Sequence, residues 1–135
     1  MPSSPPETEN DLAPVSVDEL LARFIFQSNH IRGDHSVKQN AFIPYPRPNL
    51  SVTRHLGLAQ NELWEIGQAM AESRPAKLYG RADVLARTVT SQLLNVVPTA
   101  TPRNHANITG WPPDKPSQKI IAQEIAAAAQ FVSTP

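Results

Sequence analysis

The chain has 135 residues, no cysteine, and twelve Lys and Arg balanced by twelve Asp and Glu. That length suits one domain able to bury an ordinary core without staples. The missing cysteine excludes disulfides, thiolate zinc centres, iron–sulfur clusters and a cysteine nucleophile, and it fits a reducing compartment.

The neutral total hides an asymmetry. Residues 1–20 hold Glu7, Glu9, Asp11, Asp18 and Glu19 and no Lys or Arg, so the remainder carries twelve basic against seven acidic groups. Met1 to Pro14 contains four prolines and scattered acids. Such a stretch cannot bury enough apolar area to offset its ordering entropy. A disordered acidic leader over 1–15 is expected, ahead of one domain over 16–135. The start lacks the basic-then-apolar order of a secretory signal. No apolar run approaches the roughly 18 residues of a membrane span. A soluble, cytoplasmic protein without a membrane partner is the expectation.

Ser16-Val17-Asp18-Glu19 has the spacing of a capping box, and Val17, Leu20, Leu21 and Phe24 follow at helical intervals, which predicts a first helix ending near Gln27. His30 to Gln39 reads as a loop turning at Gly33. Asn40 to Pro44 reads as a short strand, Tyr45 to Asn49 as a rigid proline connector, and Leu50 to Arg54 as a second strand in a hairpin with the first. Residues 58–72 predict a helix with Leu63, Ile66 and Met70 on its buried stripe, stopped at Arg74-Pro75. Lys77 to Val89 is read as strand, and Leu93 to Val97 as β-prone. Thr101 to Pro116 reads as a long polar loop. Ser117 is taken to cap a last helix running to about Val132, with Ile121, Ile125, Ala128 and Val132 inward. The sum is an α+β fold: a small antiparallel or mixed sheet of about four strands, with three helices on one face.

Chemistry concentrates in two places. Between residues 22 and 55 stand Arg23, Arg32, Lys38, Arg47 and Arg54 against one acid, Asp34, together with His30, His35 and His55. Arg forks, Lys point charges and loop N–H groups are what hold phosphate, and imidazoles add directional bonds or move protons near neutral pH. The second place is Arg103 to Pro112, where His105, Asn107 and Trp111 offer donors and a stacking face ahead of a helix.

These residues predict a binding module for a phosphate-bearing partner, either nucleic acid backbone or a phosphorylated small molecule such as a nucleotide. In it Arg32, Lys38, Arg54, Asn107 and Trp111 contact the ligand. One alternative is an accessory subunit that docks on a protein partner through the leader, the proline connector and the alanine-faced last helix. Another is a small hydrolase or nuclease using His30, His55 and His105 as catalytic acid and base. Whether the chain is an enzyme stays open. No cofactor is expected, and no metal: the cations around His30, Asp34 and His35 oppose a divalent ion, and there is no His-Glu-x-x-His or acidic calcium loop. No Gly-x-Ser-x-Gly, phosphate-binding glycine loop or dinucleotide fingerprint is present. The phosphate-binding reading requires the two segments to meet in space, with Arg54 and His105 facing one pocket.

Overall fold

Six strands form one sheet in the order β4-β5-β2-β1-β3-β6, and every neighbouring pair is antiparallel. They are β1 (Leu20–Ile25), β2 (Leu50–Arg54), β3 (Gly80–Leu85), β4 (Asn95–Pro98), β5 (His105–Thr109) and β6 (Gln130–Ser133). The helices are α1 (Gln60–Ser73), a single-turn α2 (Ala86–Thr90) and α3 (Lys115–Ala128), and short 3-10 turns cover Ser28–His30 and Gln39–Phe42. The structure is a computed structural model and describes residues 12–99 and 101–135. Most of the expected leader, residues 1–11, lies outside the described residues, and Val15 packs against the main core.

The α+β class and a single antiparallel sheet hold, but there are six strands rather than about four. The helices also cover both faces rather than one. Leu21, Ile25, Val52, Ala82, Val84, Ala106 and Ile108 pack with Ala122, Ile125 and Ala126 of α3. The alternate residues of β1, Ala22 and Phe24, pack with Leu63 and Ala71 of α1. Period-two alternation of side chains puts these two clusters on opposite sides of the sheet. On the α1 side the contact is close: a Cβ at Gly67 would stand 2.6 Å from the Phe24 ring.

The expected first helix is strand β1. Ser16 to Glu19 does make capping-type bonds, with Glu19 Oε2 accepting from the Ser16 N–H at 3.3 Å and Ser16 Oγ accepting from the Asp18 N–H at 3.3 Å. They close a turn, and the chain then extends. A strand buried on both faces loses its polar–apolar alternation, so Leu20 to Ile25 carries no sign of its period.

Residues 39–42 form a 3-10 turn that buries Ala41 and Phe42, not a strand, and β2 pairs with β1 and β5 instead of a hairpin partner at 40–44. The polar loop expected over 101–116 contains β5, whose Ala106 and Ile108 face the core between half-exposed His105, Asn107 and Thr109. Helix α3 is capped by Asp114, whose Oδ2 accepts from the Ser117 N–H at 2.9 Å. It ends at Ala128, four residues short of the expected Val132. Phe131 and Val132 join β6, where Ala82 and Arg81 of β3 are their register partners. Edge pairing outweighs the helix propensity that the alanine run suggests. Among the described residues no helix is long and apolar enough to cross a membrane.

Candidate functional site

Strands β1 and β2 pair at only two positions, Leu21 with Arg54 and Ala22 with Thr53. Beyond them β2 follows β5, with which it makes four pairs, and β1 continues alone on that side. Arg23 fills the resulting split. Its Nε donates to the Ala41 carbonyl and its Nη1 to the Ser51 carbonyl, each at 2.9 Å. The Ser51 bond occupies a backbone acceptor on the β2 side of the split, and the Ala41 bond ties the 39–42 turn to β1.

A cavity of about 420 Å³ opens over this split. Its cations are Arg23 from β1, Arg47 from the proline connector and Arg74 from the end of α1, and Asn49 and Ser51 add polar groups. The Arg74 guanidinium lies over the Phe26 ring, its Cζ 4.4 Å from the centroid, which holds the cation in place. Among the described residues no Asp or Glu lines this cavity. The Arg23 guanidinium is pushed down to about 10, first by desolvation and then by the charges of Arg74 and Arg47. It remains a cation at neutral pH. Arg23 and Arg74 also wall a smaller lobe of about 270 Å³ that reaches His30. His30 is pushed below its ordinary value by desolvation, then by Arg23 and Lys38.

Four other arginines are each paired with a carboxylate. Arg54 is fully buried, and its Nε and Nη2 donate to the two carboxylate oxygens of Glu19 at 2.5 and 3.0 Å. Arg81, 4 % exposed, donates from Nε to both oxygens of Asp83 and from Nη2 to Gln60 Oε1. Asp83 Oδ1 also lies 2.9 Å from His55 Nε2. Arg103 pairs with Glu62 at 3.4 Å, and Arg87 with Asp18 on the surface.

The residues singled out from the sequence therefore do not share one pocket. Arg54 lies beside Leu21 on the α3 face. His105 is the register partner of Thr53, one residue earlier on β2, and so faces the other side. There His105 Nδ1 lies 2.7 Å from Thr99 Oγ1, and burial lowers its pKa. Asn107 shares that side beside Ser51.

His55 sits at the Leu20 end of β1, where its N–H donates to the Leu20 carbonyl, whereas His30 follows the Ile25 end. About 3.3 Å of rise per residue puts the ends of β1 about 16 Å apart. Arg32 is held within its own loop, with Nη1 donating to the Val37 carbonyl at 3.0 Å. His30 borders the arginine cavity, and Lys38 is close enough to His30 to act on its charge. Trp111 lines an adjoining cavity that shares Arg47.

Arg23 and Arg47 stand in the basic count but not among the expected ligand contacts, and from sequence Arg74 reads only as a helix stop. A cation inside Leu20 to Phe26, otherwise wholly apolar, was the available signal for Arg23. Among the described residues no three His, Asp or Glu side chains converge as a metal site. No family model, curated protein or solved structure matches the chain.

Proposed function

We propose that this chain is a binding module for a phosphate-bearing ligand, whose phosphate sits among Arg23, Arg47 and Arg74. One observation carries the reading. Three guanidinium groups converge on one cavity without a carboxylate from the described residues, although Arg54, Arg81, Arg87 and Arg103 each have one. Like charges held together raise the energy of the unliganded cavity, and a dianion removes that repulsion while accepting several charge-assisted bonds. The cavity is within the size range of ligand sites. His30 lies at the edge of this site as a neutral donor or acceptor. The three histidines do not converge, which removes the geometric support for a histidine-based hydrolase.

The test is calorimetric titration of the full chain with inorganic pyrophosphate at low ionic strength. Each bond between a charged donor and phosphate is worth about 1.5–3 kcal/mol. Arg74→Ala is therefore expected to weaken binding by roughly ten- to hundredfold, with Arg32→Ala as a control of near-wild-type affinity. No heat of binding, or equal losses in the two variants, would remove the proposal.

A further inference from the structure

We infer that the ligand is a nucleotide with an unpaired base: its phosphate lies in the arginine cavity and its base in the adjoining cavity between Tyr45 and Trp111. This inference rests on the phosphate reading and adds the part of the ligand that the arginines do not recognise.

The adjoining cavity has a volume of about 320 Å³ and shares Tyr45, Pro46 and Arg47 with the first. A single strip of chain thus walls both. The two differ in chemistry. The first presents three cations, whereas the second is faced by Trp111, Pro112 and Pro113 opposite Tyr45 and Pro46. Flat aromatic and pyrrolidine surfaces suit a planar ring, and base stacking on aromatic side chains is tolerant of base identity.

The second cavity is also rigid before any ligand arrives. Gln118 of α3 is 3 % exposed, and both ends of its amide are used on the walls. Its Oε1 accepts from the Tyr45 N–H at 3.1 Å, and its Nε2 donates to the Pro112 carbonyl at 2.8 Å. One buried side chain thereby sets the spacing between the two walls and acts as a positioning residue. Trp111 is fixed by donation from Nε1 to the Ile108 carbonyl at 3.0 Å and by contact with the main core. Tyr45, by contrast, is 50 % exposed, a large aromatic surface left in water at the rim. Ordered stacking groups lose little entropy on binding.

A ligand matching both cavities needs an anionic head, a planar ring, and a spacer that crosses the Tyr45–Arg47 strip. The sugar of a nucleotide is such a spacer. A sugar phosphate has no planar ring. A phosphotyrosine carries its phosphate directly on the ring, with nothing to span the strip. Duplex nucleic acid keeps its bases paired and stacked, out of reach of a side cavity.

The experiment follows Trp111 fluorescence in the full chain carrying Trp64→Phe, since the chain has two tryptophans. The titrants are inorganic phosphate, adenosine monophosphate, a ten-residue oligothymidylate, a duplex of equal length, and a phosphotyrosine peptide. The monophosphate is expected to bind at least tenfold more tightly than inorganic phosphate and to quench Trp111. Tyr45→Ala should weaken nucleotide binding about five- to hundredfold, and by at least fivefold more than it weakens phosphate binding. Trp111→Ala, followed by calorimetry because no tryptophan remains to report, should lose the same preference, and Tyr45→Ala carries the test if that variant fails to fold.

Tighter binding of the oligothymidylate, with steep salt dependence, identifies single-stranded nucleic acid as the source. Binding of the monophosphate alone identifies a free nucleotide. Both results support the inference. Equal affinity for phosphate and monophosphate with Trp111 unquenched overturns it and leaves the phosphate reading standing. A preference for the duplex or the phosphotyrosine peptide overturns it as well. Absence of any binding, to phosphate included, overturns both.

Discussion

The two ends of β1 treat positive charge in opposite ways. Towards the Leu20 end cations meet acids: Arg54 is clamped by Glu19, and Asp83, opposite Ala22, binds His55 and draws in Arg81 from its place opposite Phe24. At the Ile25 end cations meet one another: Arg23, Arg47 and Arg74 share a cavity, with His30 and Lys38 nearby. The first arrangement is what burial demands, because an ion removed from water without a partner costs several kcal/mol. The second has no such account within the described residues, and its repulsion is carried by the rest of the fold. Charge that is balanced internally holds the sheet together. Charge left unbalanced around a cavity is available to something outside the chain.

The largest effect that separates the two ends is on stability. Glu19→Ala leaves Arg54 buried without its clamp and is expected to cost about 3–5 kcal/mol. Arg47→Ala at the other end removes an exposed cation from a like-charged group and is expected to change stability by less than about 0.5 kcal/mol, in the favourable direction. Urea unfolding with a constant m-value measures both. Comparable losses in the two variants would erase the distinction on which the site assignment stands.

Counting charge along the chain found the surplus between residues 22 and 55 but could not divide it. Arg54 stands among the expected ligand contacts, yet its partner is Glu19, 35 residues away and inside what reads as a helix cap. His55 is claimed by Asp83, 28 residues on. Neutralisation is a tertiary event, settled by which strands lie together. The long amphipathic helix over 60–73 was legible because Leu63, Ile66 and Met70 keep its period and Pro75 ends it. Strands β1, β5 and β6 were not. β1 is covered on both faces, β5 has only two buried apolar positions among polar side chains, and β6 follows an alanine run without a proline or glycine break. Arg74 could not be read as a site residue at all, because its role comes from where α1 docks.

The next effect in size joins the cavity to the stability of the fold. If the repulsion at the Ile25 end is relieved by a dianion, pyrophosphate must stabilise the native state. At 100 times its dissociation constant it contributes about 2.7 kcal/mol. With an unfolding entropy of about 2.1 cal/mol/K per residue, that raises the Tm of a 135-residue chain by about 10 °C. Scanning calorimetry against sodium chloride at matched ionic strength checks it. At the same ligand concentration Arg74→Ala should lose about half of the shift or more, and Glu19→Ala should keep it while starting from a lower Tm. An equal rise in sodium chloride would reduce the effect to screening.

The smallest expected effect is on pH, and it sharpens the comparison at a single side chain. His30 is held below its ordinary value of 6.5 by desolvation, Arg23 and Lys38, so the folded chain resists a proton that the unfolded chain accepts. Stability therefore falls as pH drops through 6.5, and levels off below the depressed folded value. His105 adds in the same direction through burial alone. Asp34, Glu62 and Asp114 are held below their ordinary values by hydrogen bonds from Ser36, Ala59 and Ser117, which keeps these three carboxylates from titrating in the same window. Sulfate, itself fully ionised throughout, weakens this effect at His30 only. An anion beside Arg23 offsets the cationic field, the imidazole takes up a proton on binding, and sulfate affinity rises as pH falls from about 8 to about 5 by less than roughly tenfold. His30→Gln should flatten that dependence, and His105→Gln should leave it intact. Titrations in two buffers of different ionisation enthalpy count the proton directly. No proton uptake in the parent chain, or the same uptake in His30→Gln, would place His30 outside the reach of the bound anion and shrink the site to the guanidinium groups alone.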